Sequence, residues 1–188
     1  LADSTILAVS TGDVVISRPA TAGLAATNGW NMLSVPVTVA DLLTPQVFPA
    51  AVSHAYTFGP SGYVVQDTLR YGSGYWLKFN GAQGISVVGS VLPTDTIDVS
   101  TGWNMIGSVS GPVSVDSIVQ IPGGIVTSVF YEFTGTSYAT SDSIKAMKAY
   151  WVKVSAPGRL VLTMPAGTFT KPAVRARRTP PGQGDKSR

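Results

Sequence analysis

Gly29-Trp30-Asn31-Met32-Leu33 returns 73 residues later as Gly102-Trp103-Asn104-Met105-Ile106. Three further matches follow in the same order, each 75 residues apart. They pair Tyr56-Thr57-Phe58 with Tyr131-Glu132-Phe133, Asp67-Thr68-Leu69 with Asp142-Ser143-Ile144, and Tyr75-Trp76-Leu77-Lys78 with Tyr150-Trp151-Val152-Lys153. Ordered matches with so small a drift point to one supersecondary unit used twice, and this restricts the chain to folds in which two like units sit in series. A third, partial copy opens the chain. Val9-Ser10-Thr11-Gly12, then Val14-Val15-Ile16 and Pro19, mirrors the stretch from Val154 through Gly158, Leu160, Val161 and Leu162 to Pro165. The divisions expected are therefore 1–19 (last hairpin of a preceding unit), 20–93 (first repeat), 94–165 (second repeat) and 166–188 (tail).

Within each unit the turn chemistry sets the element order. Thr27-Asn28-Gly29 and Ser100-Thr101-Gly102 fold an incoming strand (Leu24–Ala26; Ile97–Val99) back onto the Trp-Asn-Met strand. Asn31 and Asn104, disfavoured in mid-strand, are expected to bond backbone across that turn. Thr38–Leu43 and Ser114–Val119 each offer an N-cap hydroxyl, an early Asp and apolar residues at helical spacing, with Pro45 and Pro122 soon after. One short amphipathic helix per unit is expected there. A tyrosine-rich hairpin follows, turning at Gly59–Gly62 and Thr134–Thr136, and then the Tyr-Trp strand and a final strand. Short strands between regular turns predict an all-β chain of two tandem small sandwich- or barrel-like modules, plus the N-terminal hairpin. Residues 29–89 and 102–164 are expected to share strand order, differing at Ile121–Gly124 and the turns. An edge strand as apolar as Val14-Val15-Ile16 must pair, within the chain or as an added strand in a neighbour.

Composition agrees. Hydrophobic residues make up 44% and charged residues 12%, about half the roughly 25% charge of an average domain, so the body must bury a core. No apolar run approaches the roughly 18 residues of a membrane helix. The N-terminus lacks the order of a signal peptide, so a leader for export would lie outside this sequence. With no cysteine there is no disulfide, thiolate metal site or cysteine nucleophile. Residues 1–165 hold seven Lys/Arg against nine Asp/Glu, so the basic character belongs to the tail. A body of that charge excludes nucleic acid as a partner by bulk electrostatics.

Catalytic constellations are missing from the sequence. Acid–base or nucleophilic chemistry needs a nucleophile beside a base, or two converging carboxylates. The one histidine, His54, is replaced by Val129 in the second copy. No nucleophile elbow, phosphate loop, zinc helix motif or dinucleotide fingerprint occurs. Asp95 and Asp98 lie in the linker without a calcium-loop pattern. No cofactor is expected.

The aromatics carry more. Alternation sets Tyr75, Leu77 and Phe79 on one face and Trp76 with Lys78 on the other; Tyr150, Val152 and Val154 oppose Trp151 and Lys153 in the same way. The apolar face is core. The Trp76/Lys78 and Trp151/Lys153 face has two readings, a packing surface with lysine stems over the rings or a platform on which a sugar ring stacks. Trp30 and Trp103 are expected to be buried core anchors. In the tail, Arg175, Arg177 and Arg178 stand among Pro and Gly as a linker or a polyanion contact.

These motifs resemble a repeat of bacterial and archaeal extracellular proteins, marked by a Gly-Trp-Asn-Leu-Ile/Val strand and a Gly-Tyr-Trp-Val-Lys strand about 45 residues later. Gly29–Leu33 and Gly102–Ile106 match the first with Met for Leu; Gly74–Lys78 matches the second, and Ala149–Lys153 matches it with Ala for Gly. The likeness spans residues 20–165. It implies a non-catalytic module near the C-terminus of a large secreted or surface protein, beside fibronectin-like domains, dockerins or type IX sorting signals. The tail is unlike a type IX sorting domain, which is itself a β-domain. The function expected is a stalk, spacer or assembly subunit contacting other protein modules. A carbohydrate-binding module is the alternative, and an adhesin with a polyanion-binding tail the third.

Overall fold

A computed structural model describes residues 18–166. The expected N-terminal hairpin, apart from its last two residues, lies outside this range, as do the tail residues Arg175, Arg177 and Arg178.

The first half runs β1 (Pro19–Ala26), β2 (Gly29–Leu33), β3 (Val37–Thr38), α1 (Thr44–Val47), β4 (Ala55–Gly59), β5 (Gly62–Gln66), β6 (Tyr75–Phe79) and β7 (Gln83–Val91). The second runs β8 (Thr94–Val99), β9 (Gly102–Ile106), β10 (Val113–Ser114), a 3-10 turn (Val115–Ser117), β11 (Val119–Ile121), β12 (Phe130–Phe133), β13 (Tyr138–Ser141), β14 (Ser143–Ile144), β15 (Tyr150–Val154) and β16 (Gly158–Thr163). Among the described residues the chain is all-β and sandwich-like, with every strand pairing antiparallel and no closed barrel.

Each half lays a three-stranded sheet over a four-stranded one. The four-stranded sheets have corresponding orders, β2-β6-β4-β5 and β9-β15-β12-β13. The turn residues explain the entry hairpins. Gly29 (φ 92°) and Gly102 (φ 98°) take left-handed backbone, which glycine adopts at little cost. Asn31 then bonds as expected: Oδ1 accepts the Thr27 N–H at 2.9 Å, and Nδ2 donates to the Thr27 and Gly29 carbonyls. Asn104 does the same with Ser100 and Gly102.

The core face of the Tyr-Trp strand is also as expected. Tyr75, Leu77 and Phe79 are buried with β1 alanines, Leu33 and Val87, and Tyr150, Val152 and Val154 with Ile97, Leu160 and Leu162. The two tyrosine hydroxyls accept backbone N–H bonds from Arg70 (2.7 Å) and Lys145 (2.9 Å). Burial pushes the Tyr150 hydroxyl up to about 12.

Three expectations on the elements need correction. Thr38–Leu43 is not a helix; Thr38 joins β3, and α1 begins at Thr44 with Pro45 in its first turn. Proline lacks the N–H that a first turn does not use, so Pro45 opens this helix rather than closing it. In the second half the helical stretch shrinks to the 3-10 turn, and Val119 belongs to β11. The halves also differ beyond Ile121–Gly124. β3 lies against Ser90 and Val91 of β7, whereas the strand flanking β16 is β11, from beyond the helical turn, against Arg159–Val161.

Candidate functional site

Register decides which side chains leave the core. In the first half Trp30 lies opposite Lys78, Met32 and Tyr56 opposite Trp76, and Phe58 opposite Tyr63. Directly opposed residues share a sheet face, so all of these project away from the core that holds Asn31, Leu33, Tyr75 and Leu77. The second half repeats the placement with Trp103 opposite Lys153, Met105 and Tyr131 opposite Trp151, and Phe133 opposite Tyr138. Trp30 and Trp103 are therefore not buried anchors; they are 42% and 45% exposed. Their strand has apolar side chains on both faces, and the pairing to the Lys78 and Lys153 side sends the indoles outward.

The two outer faces meet. Met32, Met105 and Ala149 are buried between them, with Phe58, Trp76, Phe133 and Trp151 packed around. Phe58 stands edge-on to Trp151 at 5.0 Å, and Phe133 edge-on to Trp76 at 4.9 Å. The backbone is fastened with the same reciprocity. Gly74 N–H donates to Met105 O (3.0 Å) and Ala149 N–H to Met32 O (3.2 Å), while Ser34 N–H donates to Met147 O (2.8 Å) and Gly107 N–H to Gly72 O (2.7 Å). Ser34 and Ser108, both buried, join hydroxyls at 2.8 Å. The four backbone bonds form two reciprocal pairs, the relation of an isologous interface. The Ser34–Ser108 bond has no counterpart, because Gly107 stands where the first half has Ser34.

Flanking this seam are two aromatic clefts. One, about 500 Å³, is lined by Trp30, Tyr56, Tyr63, Trp76 and Phe133. The other, about 490 Å³, is lined by Phe58, Tyr63, Trp103, Tyr131, Tyr138 and Trp151. Trp30 stands edge-on to Tyr56 (5.9 Å), and Trp103 is tilted against Tyr131 (6.0 Å). Tyrosines bring hydroxyls to otherwise apolar walls. Burial raises the Tyr138 hydroxyl above its ordinary value, with a hydrogen bond to Trp151 acting the other way and Tyr63 adding a smaller push upward.

The expected Trp76/Lys78 and Trp151/Lys153 face is thus split. The two tryptophans are half-buried and each packs in a T-shaped contact on a phenylalanine of the opposite half, while Lys78 and Lys153 are exposed and line neither cleft. The cleft residues not foreseen are Trp30 and Trp103, Tyr56 and Tyr131, Phe58 and Phe133, and Tyr63 and Tyr138. For Tyr56 with Phe58, and Tyr131 with Phe133, the signal was the Tyr-x-Phe alternation of β4 and β12, which puts both aromatics on the face of Trp76 or Trp151.

Elsewhere the chemistry is sparse. His54 Nδ1 lies 3.6 Å from Asp67 Oδ1, both exposed, and Ser53 is its chain neighbour. The Ser53 hydroxyl nevertheless donates to the His54 carbonyl and accepts the Lys78 N–H. Ser128 makes the same two bonds, to Val129 and Lys153, where no histidine exists. The serine fastens backbone in both halves. Among the described residues no three His, Cys, Asp or Glu side chains gather as a metal site, and no helix is long and apolar enough to cross a membrane. No family model, curated protein or solved structure matches the chain.

Proposed function

We propose that this chain is a non-catalytic, carbohydrate-binding pair of modules from a bacterial secreted or cell-surface protein, and that sugar rings stack in its two aromatic clefts. The observation that carries the reading is the exposure of Trp30 and Trp103 in equivalent clefts, each beside a tyrosine. Open indoles of this kind cost solubility, and clustered exposed apolar surface marks an interaction site. An aromatic ring offers its flat face to the C–H side of a pyranose, and the tyrosine hydroxyls supply hydrogen bonds to sugar hydroxyls. Volumes near 500 Å³ fall within the roughly 300–1,000 Å³ of small-ligand sites. The resemblance to extracellular repeats supports the compartment.

A second reading, a rigid spacer that presents other domains of a surface assembly, is favoured by one observation. Trp76 and Trp151 are committed to the seam between the halves, beside the reciprocal backbone bonds.

Titration of tryptophan fluorescence with soluble polysaccharides separates the two. Carbohydrate binding gives saturable quenching in at least one arm of the panel. Trp30→Ala with Trp103→Ala then weakens binding at least ten-fold, which corresponds to about 1.4 kcal/mol or more. Unchanged fluorescence across glucan, chitosan, xylan and mannan contradicts the binding reading and leaves the spacer.

A further inference from the structure

Resting on that carbohydrate reading, we propose that each cleft is a composite of both halves and that the chain is bivalent, holding two glycan segments at once. The assignment follows from which half supplies each wall. Trp30, Tyr56 and Trp76 come from the first half, but Phe133 of the second completes their cleft. Trp103, Tyr131 and Trp151 come from the second half, and Phe58 and Tyr63 of the first complete theirs. Phe58 and Phe133 are the rings that cross the seam to pack on Trp151 and Trp76. A single half thus carries an aromatic face without its far wall. The tandem pair is the binding unit, and the module occurs twice because each copy finishes the site of the other.

Reciprocity fixes the number of sites. An isologous arrangement generates contacts in pairs, and the clefts have near-equal volumes and matching linings, except that Tyr63 also reaches the second cleft while its counterpart Tyr138 does not line the first. A polysaccharide has a direction and no two-fold axis of its own. Two sites related in this way therefore suit two strands, or two separated segments of one strand, better than a single run laid across both. Tyr63 lines both clefts, so its substitution affects both sites.

Isothermal titration of the intact chain with hexasaccharides of glucose, N-acetylglucosamine, xylose and mannose tests this. The expected result is two equivalents bound by the hexasaccharide that binds. Trp30→Ala and Trp103→Ala each leave one equivalent, and the double variant leaves none; Trp30→Phe and Trp103→Phe keep both sites and control for folding. Phe133→Leu, made in the Trp103→Ala background, should weaken the remaining site at least five-fold, and Phe58→Leu should do so in the Trp30→Ala background. The intact chain should also raise the viscosity of the cognate soluble polymer, while each single tryptophan variant does not. One equivalent in the intact chain, or loss of both sites by either tryptophan substitution, overturns bivalency while leaving carbohydrate binding standing. Full affinity in both phenylalanine variants overturns the composite sites. No heat with any of the four sugars, and no quenching by their polymers, overturns both proposals.

Discussion

The two halves share the order of their four-stranded sheets, yet where they face each other equivalent positions hold different residues. Gly74 faces Ala149, its counterpart; a Cβ on Gly74 would sit 2.7 Å from that of Ala149. A Cβ on Gly107 would lie 3.1 Å from Cβ of Ser34, again the matching residue. Gly72 (φ 70°) corresponds to Met147, which keeps the same left-handed backbone (φ 67°) despite its side chain. Met147 is fully buried and packs in the core of the first half, beside Ala20 and Ala22. In the reverse direction Gly72 faces the larger Asp95 and Ile97. The small side chains thus alternate across the seam. Two identical chains meeting at a two-fold axis must use one residue for both roles; a single chain carrying both halves can place a bulky side chain on one side and glycine on the other. The asymmetry sits at the seam and leaves the clefts alike save for Tyr63, which reaches both.

The largest effect expected is from Met147→Ala. It empties part of the first half's core while keeping the strained backbone, and should cost about 2–5 kcal/mol in denaturant unfolding. A neutral result would mean the methionine is not the key that locks the halves. Gly74→Ala should cost about 1–3 kcal/mol by overpacking, and adding Ala149→Gly should recover part of it, since the new Cβ would also meet Met105 Cγ at 2.7 Å. If the swap fails to rescue, steric complementarity at the axis is not the reason for the difference.

Electrostatics distinguishes the halves more weakly, through two carboxylates found only in the second. Burial raises the Asp95 carboxyl, with the Thr96 N–H acting against it, and Oδ2 has no hydrogen-bond partner. The ionised form is therefore penalised in the folded state at neutral pH, and the penalty fades as pH falls through the raised value. Asp95→Asn should raise the melting temperature at pH 7 and lose that advantage in acid. Burial alone would raise Glu132 too, but Lys148 and Lys145 outweigh it and hold its carboxyl below the ordinary range. Its contribution is present above the usual carboxylate value and is lost as pH falls through the depressed one. Glu132→Gln should flatten that acid limb. Opposite slopes for these variants would reverse the assignment of environments.

The smallest difference lies at a sheet edge. β11 covers the edge of Arg159–Val161 that β8 leaves open, while the equivalent Gly84–Ser86 of β7 pairs with β1 on one side and has no described strand on the other. Hydrogen exchange should be faster at Gly84–Ser86 than at Arg159–Val161; equal protection would show that the edge is covered.

Much of this was written in the repeat. The period-2 alternation of Tyr75–Phe79 and Tyr150–Val154 named the core face because one face is wholly apolar, and Asn31 and Asn104 announced their turn. The outward turn of Trp30 and Trp103 was hidden, since β2 and β9 are covered on both faces and alternation cannot rank two apolar faces. Pro45 misled because proline both ends and begins helices. The sequence alone gives no meaning to the differences at Gly72, Gly74 and Gly107, which acquire it once the halves are seen to touch.

The four tryptophans give four indole N–H signals, two from the more exposed cleft rings and two from rings that line the clefts while packing in the seam, and nitrogen–proton correlation spectra can follow all four during titration with the binding hexasaccharide. The signals of Trp30 and Trp103 should shift together and furthest as both clefts fill, with Trp76 and Trp151 moving less. Movement of one cleft signal alone, or of Trp76 and Trp151 ahead of Trp30 and Trp103, would contradict the reading of two equivalent clefts built on open indoles.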